Sequence, residues 1–367
     1  MTAPDVPVNK AARFAHIDAM RAFAVMLVVV AHAGLGHIVP GGSGVTIFFS
    51  ISGFVITYQL LRERERTGSF SAFAFYRRRA FKIFPPFFLI VVIPTLIYAV
   101  FLPVDWVSFG SQILFLFNWV YLSDTSGVLP GSGVVWSLAI EEQFYILFAL
   151  IWLCTVRSAR WKEITVAIAV VAIVLPTLAR FALAFDPDMS RRIYYGSDTR
   201  LDGIAWGVLL AVWYHAVATS LKQRQLARLL ASDWALVTAV LIYLLSLVIR
   251  DDYFRDTVRY SMQSIAACAV IAYGLLPGKG IIRRPFYAFS RWRPIELLGL
   301  ASYSIYLAHL ILAGLLEPYL LDVSPFVSVP VIAAIGVGGG LLVWWAVEEP
   351  ARRYRQRHDR TSVSVHR

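Results

Sequence analysis

The sequence predicts an all-α polytopic membrane protein with about ten transmembrane helices and both termini cytoplasmic, and three observations predict it. Hydrophobic residues make up 58% of the 367-residue chain and charged residues only 16%, an apolar excess beyond that of ordinary soluble domains. Apolar runs long enough to cross a bilayer follow one another almost end to end, leaving no soluble stretch large enough for its own core. The cations gather in short loops on alternate sides of those runs.

Reading runs of about 17 to 25 apolar residues as spans predicts helices over 22–39, 45–61, 83–102, 134–156, 163–184, 201–219, 234–249, 259–276, 297–316 and 326–347. The shorter piece 111–122, SQILFLFNWVYL, lies between turn-rich segments and predicts an interfacial or re-entrant helix. With the N-terminus inside, 27 of the 34 Lys and Arg fall on the inner side. They include Lys10, Arg13 and Arg21, the group from Arg62 to Lys82, Lys222, and the tail from Arg352 to Arg367. Arg180, Arg191, Arg192, Arg200, Arg250, Arg255 and Arg259 are left at or near the outer side, a bias that sets orientation. The formal charge of +11 is thus a topology signal, and nucleic acid is not an expected partner.

Cys154 and Cys268 sit inside apolar runs as small buried thiols, which excludes a disulfide framework. Ala31-His32-Ala33 follows cations and an apolar run much as a signal-peptide cleavage site would, but the later spans need an uncleaved first helix to start the topology. The expected organisation is a cytoplasmic segment 1–15, a membrane domain 16–353 and a basic cytoplasmic tail 354–367, disordered or on the membrane surface.

Polar groups inside spans carry the chemistry, because a charge at the bilayer centre costs roughly 2.5 to 3.5 kcal/mol even on the mild insertion scale. Arg21 and His32 are eleven residues apart, which on an α-helix returns to within about 20° of one face with roughly 16 Å between them. One reading makes His32, near mid-membrane, a general base and Arg21 an anchor for an anionic group; the other makes them a helix-end cation and an interhelical hydrogen bond. In WSLAIEEQFY the adjacent Glu141 and Glu142 point about 100° apart, so one at most is expected beside His32 while the other pairs with a neighbouring helix; alternatively both stabilise packing through partners such as Arg180. SYSIYLAH sets Ser302, Tyr306 and His309 at helical spacing beside Tyr303 and Ser304, either a polar cavity lining or interhelical glue.

Arg191, Arg192, Tyr194, Tyr195, Asp198, Arg200 and Asp202 gather at the outer mouth of the sixth span. Aromatic and charged groups there suit a sugar, or form an interfacial belt with surface ion pairs. Arg77, Arg78, Arg79 and Lys82 form a cluster before the third span, a topology signal or a site for a phosphorylated cytosolic donor. The glycines of IGVGGG, 335–340, read as close helix packing. A Gly-rich phosphate loop, zinc-ligand spacing and a GxSxG elbow are all missing, so no bound metal is expected.

Taken in order over residues 16–353, these segments resemble the acyltransferase 3 family of membrane acyltransferases. The resemblance rests on the Arg21 to His32 pair, GVTIFFSISGFVIT at 44–57, RRRAFKIFPP at 77–86, WSLAIEEQFY at 136–145, RLDGIAWG at 200–207, GLASYSIYLAH at 299–309 and VEEPARR at 347–353. It implies acylation of sugars in bacterial surface polysaccharides and related acceptors, at the bacterial plasma membrane, with acyl-CoA, usually acetyl-CoA, as co-substrate and no tightly bound cofactor. His32 and Arg21 fall on the family's essential motif and Glu142 on its glutamate motif. Lys82 departs from a common arginine and Thr46 from a frequent aspartate; the esterase-like C-terminal domain of some members is not expected here.

These readings converge on an O-acyltransferase. Acyl-CoA is expected to place its phosphates near Arg21 and the Arg77 to Lys82 cluster and its thioester near His32, the pantetheine arm being comparable to the roughly 16 Å between Arg21 and His32. His32 would deprotonate an acceptor hydroxyl, oriented by Glu142, or carry the acyl group itself. Arg200, Asp202, Tyr303, Tyr306 and His309 are expected to line the acceptor cavity. The competing expectation is a proton-coupled transporter or flippase for a lipid-linked sugar. Against it, no pair of Gly/Pro-broken spans occupies corresponding halves.

Overall fold

The computed structural model describes residues 13–123, 127–217, 221–320 and 322–355, all helix and connecting turns without a strand. A helix occupies each predicted span: α1 Ala15–Leu35, α2 Gly41–Thr67, α3 Ala72–Phe101, α4 Ser132–Thr155, α5 Trp161–Leu183, α6 Ser197–Ala216, α7 Asp233–Val248, α8 Val258–Leu275, α9 Arg293–Leu320 and α10 Pro325–Arg355. By length and composition α1 to α5, α9 and α10 can each cross a membrane, and α7 qualifies together with Gln223–Leu230, from which it is bent by 70°. The chain is an all-α, multi-pass membrane protein. The expected segment 1–15 and tail 354–367 fall, apart from residues 13–15 and 354–355, outside the described residues, as do Lys10, Arg357, Arg360, Arg367 and the side chain of Lys222.

Two helices are more polar than the others because neighbours surround them. α6 begins with Asp198, Arg200 and Asp202 and packs against α2, α5 and α8, while α8 carries Arg259 and Gln263 and is enclosed by α2, α6 and α7. Apolar side chains of α4, α5 and α7, among them Leu147, Leu150, Leu175, Leu178 and Leu241, are exposed. In a bilayer these meet lipid tails.

The boundaries differ from the hydropathy pattern where a charged turn is nevertheless helical. α1 begins seven residues before the predicted 22 and ends four before the predicted 39. His32 therefore sits in its last turn, Ala31–Leu35, instead of near its middle. That turn is wound with five-residue spacing and is followed by Gly36; inside it Gly34 has φ +122°, which an L side chain adopts only with strain. α3 begins at Ala72, with the Ser71 hydroxyl accepting from the amide of Ala74. Arg77, Arg78, Arg79 and Lys82 are consequently on a helix and spread around it, where the sequence suggested a loop. Pro85 and Pro86 lie within the helix, and a widened turn over Phe88–Val92 directly precedes Pro94. The predicted helix 111–122 is two short ones, Trp106–Ile113 and Phe117–Val120, broken at Phe115, whose φ is +54°.

α1 and α9 lie side by side and run in the same direction. Gly299 of α9 faces the Asp18 backbone of α1 so closely that an added Cβ would strike the Asp18 carbonyl oxygen. Gly299→Leu is expected to destabilise the protein by about 1–3 kcal/mol, as overpacking does, read as a lower midpoint of thermal unfolding in detergent. Gly338→Leu, where nothing lies within 4 Å of an added Cβ, should leave the midpoint unchanged.

Candidate active site

The seam between α1 and α9 carries two polar levels. At the cation-rich end of the bundle, Arg21 Nε donates to Ser302 Oγ at 3.1 Å. Eleven residues further along α1, roughly 16 Å at the α-helical rise, His32 meets His309 with ring centroids 5.1 Å apart. A cavity of about 200 Å³ opens at the first level, lined by Arg21, Lys82, Glu348, Asp18 and Arg355 among others. A second, of about 360 Å³, opens at the other end of the seam and is lined by His32, Ala33, Gly131, Gly314 and Glu317.

The hydrogen bonds of the two imidazoles assign their tautomers. His309, 2% exposed, places Nδ1 2.7 Å from the Tyr306 carbonyl and 3.2 Å from that of Ile305. Carbonyls only accept, so Nδ1 carries the proton and Nε2 is an acceptor. His32 Nδ1 lies 3.0 Å from the Val28 carbonyl and 3.1 Å from His309 Nε2. Both of those atoms accept, so His32 Nδ1 donates, and His32 Nε2 keeps its lone pair. His32 itself is exposed to its cavity. The arrangement leaves an imidazole lone pair beside a cavity with a second imidazole behind it.

The two glutamates lie elsewhere. Glu142 accepts from Arg79 Nη2 at 2.5 Å, and the Arg79 guanidinium stacks 3.5 Å above the Tyr145 ring. Glu141 accepts from Ser52 at 3.0 Å and from Tyr145 at 2.9 Å. Both carboxylates are thus taken up by one cluster among α2, α3 and α4, and neither lines the cavity of His32. His309 holds the position beside His32 that the sequence assigned to Glu142. Arg180, the suggested partner for these glutamates, instead grips Asp202 through both terminal nitrogens at 2.8 and 2.7 Å.

The remaining residues divide similarly. Lys82 lines the cavity of Arg21, whereas Arg78 pairs with Glu63 at 2.9 Å and the Arg77 guanidinium lies over Phe73. Tyr303 donates to the Ile83 carbonyl at 3.1 Å. Tyr306 donates to the Val134 carbonyl at 3.1 Å and shares a 2.7 Å hydrogen bond with Ser137, tying α9 to α4. Arg200 and Asp202, each 1% exposed, are inside the bundle and line neither cavity. Arg200 donates to the Tyr194 carbonyl and to Thr46 Oγ1, both at 3.2 Å, and lies 3.9 Å over the Tyr260 ring. Thr46, one of the two departures, thus meets a buried guanidinium with a hydroxyl. At the mouth, Arg192 pairs with Asp198 at 2.6 Å and Arg191 donates to the Tyr121 carbonyl.

Two glutamates that carried no role in the sequence reading line the cavities. Glu348 accepts from Ser304 at 2.7 Å at the cationic cavity. Glu317 lines the cavity of His32 on a stripe with Leu310, Ala313 and Gly314; that i, i+3, i+4, i+7 spacing was available as a signal. Among the described residues no group of three or more His, Cys, Asp or Glu is placed to hold a metal ion.

An α-helical bundle with apolar faces outside and paired charges inside defines a multi-pass membrane protein, here with a polar seam between two cavities. The chain belongs to the acyltransferase 3 family, whose acyltransferase domain matches residues 14–349. It is 28% identical over 305 residues to an O-acetyltransferase OatA of Staphylococcus aureus (strain NCTC 8325 / PS 47), covering 80% of this chain and 49% of the relative. It is 28% identical over 326 residues to a peptidoglycan O-acetyltransferase OatA of Listeria monocytogenes serovar 1/2a, covering 84% of this chain and 51% of the relative. The chain therefore spans about half the length of these curated relatives. No solved structure matches it.

Breaking the Arg180–Asp202 pair should leave a buried cation unpaired. Asp202→Ala is expected to cost about 3–5 kcal/mol, seen as a lower unfolding midpoint in detergent. Arg180→Met combined with Asp202→Leu should recover much of the loss.

Proposed function

We propose that the chain is a membrane O-acetyltransferase that moves an acetyl group from acetyl-CoA to a hydroxyl of a sugar-containing acceptor. The observation that carries this reading is the pair of cavities at opposite ends of one helix seam, cationic at Arg21 and Lys82, and holding a free imidazole nitrogen at His32. Family membership and relatives named as O-acetyltransferases support it. In this reading the Arg21 cavity faces the cytoplasm at a bacterial plasma membrane, an orientation that the cation bias of the loops supports.

In this reading the donor's phosphates meet Arg21 and Lys82, and the thioester extends along the seam. Arg79 is engaged by Glu142, so its part is to hold α3 against α4 and keep Lys82 facing the cavity. The acceptor hydroxyl gives its proton to His32 Nε2 as its oxygen attacks the thioester carbonyl carbon. Collapse of the tetrahedral adduct breaks the carbon–sulfur bond, and the thiolate of coenzyme A takes the proton back from the imidazolium. While His32 is charged, its Nδ1–H donates to His309 Nε2, which accepts because His309 is held neutral with its own proton on Nδ1. His309 is a positioning residue for the base, the role first given to Glu142.

His32→Ala in purified, folded protein is expected to lower transfer by roughly 10²–10⁴-fold while acetyl-CoA still raises the unfolding midpoint and free acetate does not. Retained turnover would rule out the base. Failure of acetyl-CoA to stabilise the protein, together with proton-dependent movement of a lipid-linked sugar in vesicles, would favour a transporter. Arg21→Ala should raise KM for acetyl-CoA by roughly 10- to 100-fold, as loss of a charge-assisted hydrogen bond does, with little change in KM for the acceptor.

A further inference from the structure

Of the described residues lining the cavity of His32, only His32 and Glu317 have ionisable side chains; the other walls are small or apolar, including Ala33, Gly131, Ala313 and Gly314. Glu317 stands on the α9 stripe formed with Leu310, Ala313 and Gly314, eight residues beyond His309, or about 12 Å along the helix. Its side chain is exposed. Among the described residues it has neither a hydrogen bond nor an ion pair. The carboxylates of the opposite cavity differ in this respect, since Asp18 is held by Arg13 and Glu348 by Ser304.

An uncompensated carboxylate at the edge of a cavity, with the base at its far end, selects the chemistry of what enters. Ionised, it offers about four lone-pair sites and no donor, so it suits a molecule presenting several hydroxyl donors and repels a phosphate or carboxylate. The volume of about 360 Å³ falls within the range of small-molecule sites. Its axial reach separates the group bound at Glu317 from the hydroxyl at His32.

We propose that Glu317 is the acceptor-recognition residue: it binds hydroxyls of a neutral polyhydroxyl acceptor, a saccharide, at a distance from the hydroxyl presented to His32. This rests on the acetyl-transfer reading and deepens it. Any anionic carrier attached to the acceptor would then lie outside this cavity, since Glu317 disfavours negative charge within it.

The test compares two acceptor probes with purified protein in detergent and acetyl-CoA as donor: cellobiose, a neutral polyol, and ethanol, with a single hydroxyl. Glu317→Gln keeps size and shape. It is expected to raise KM for cellobiose by roughly 10- to 100-fold with kcat within about twofold, while kcat/KM for ethanol changes by less than about twofold. Glu317→Asp should recover part of the cellobiose affinity. Equal losses on both probes, or no change on cellobiose, would overturn the assignment of Glu317 and leave acetyl transfer standing. A wild-type protein that acetylates neither probe would overturn the acetyl-transfer reading and Glu317 with it.

Discussion

The close approach of α1 and α9 is the constraint on which the rest of the site depends. Gly299, with no side chain, lets the α1 backbone come near enough for Arg21 to meet Ser302 and His32 to meet His309. A bulkier residue at 299 would separate both pairs at once, because one rigid helix face carries them. At the far end the backbone itself changes: the widened turn Ala31–Leu35, with Gly34 in the left-handed region, ends the helix at the cavity. His32 is thereby on the last wound turn, held by backbone on one side and open on the other.

Around this seam the buried charges are arranged so that few lack an opposite. Arg180 and Asp202 satisfy one another deep among α5, α6 and α8, with Ser261 and backbone carbonyls completing the cation's contacts. Arg79 and Glu142 do the same between α3 and α4, with Tyr145 stacked beneath the guanidinium and bonded to Glu141. In low dielectric such pairs add little net stability, but removing one partner is severe. They therefore fix which helix faces meet. Arg200 is the exception in kind, sheltered by aromatic rings, a carbonyl and the Thr46 hydroxyl, with no carboxylate bonded to it among the described residues.

The positions of the ten long helices were legible in the sequence because hydrocarbon forces every backbone group into helical pairing, and apolar length follows directly. Their ends were less legible. The turns His16–Arg21 and Arg77–Lys82 are charged enough to look like loops, yet they continue α1 and α3, since helices extend beyond the apolar core while long basic side chains reach toward polar surroundings. For the site, Arg21 and His32 on one helix could be read from spacing alone. The partner of His32 could not. Glu142 and His309 were both within spans at plausible depths, and only the packing of α9 against α1, with Glu142 turned toward Arg79 of α3, decides between them.

A neutral imidazole behind His32 differs physically from the carboxylate that the sequence suggested. A carboxylate behind His32 would place a full negative charge against a side of the imidazole packed into the bundle, at a cost that must be met by a cation or by further donors. His309 orients the same Nδ1–H without that charge, and its own proton is fixed by two carbonyls of its helix. The glutamates are thereby left to pair with Arg79 and with hydroxyls, where their charge is compensated. The paired imidazoles and the buried carboxylates are separated, and each occupies the surroundings that its charge requires.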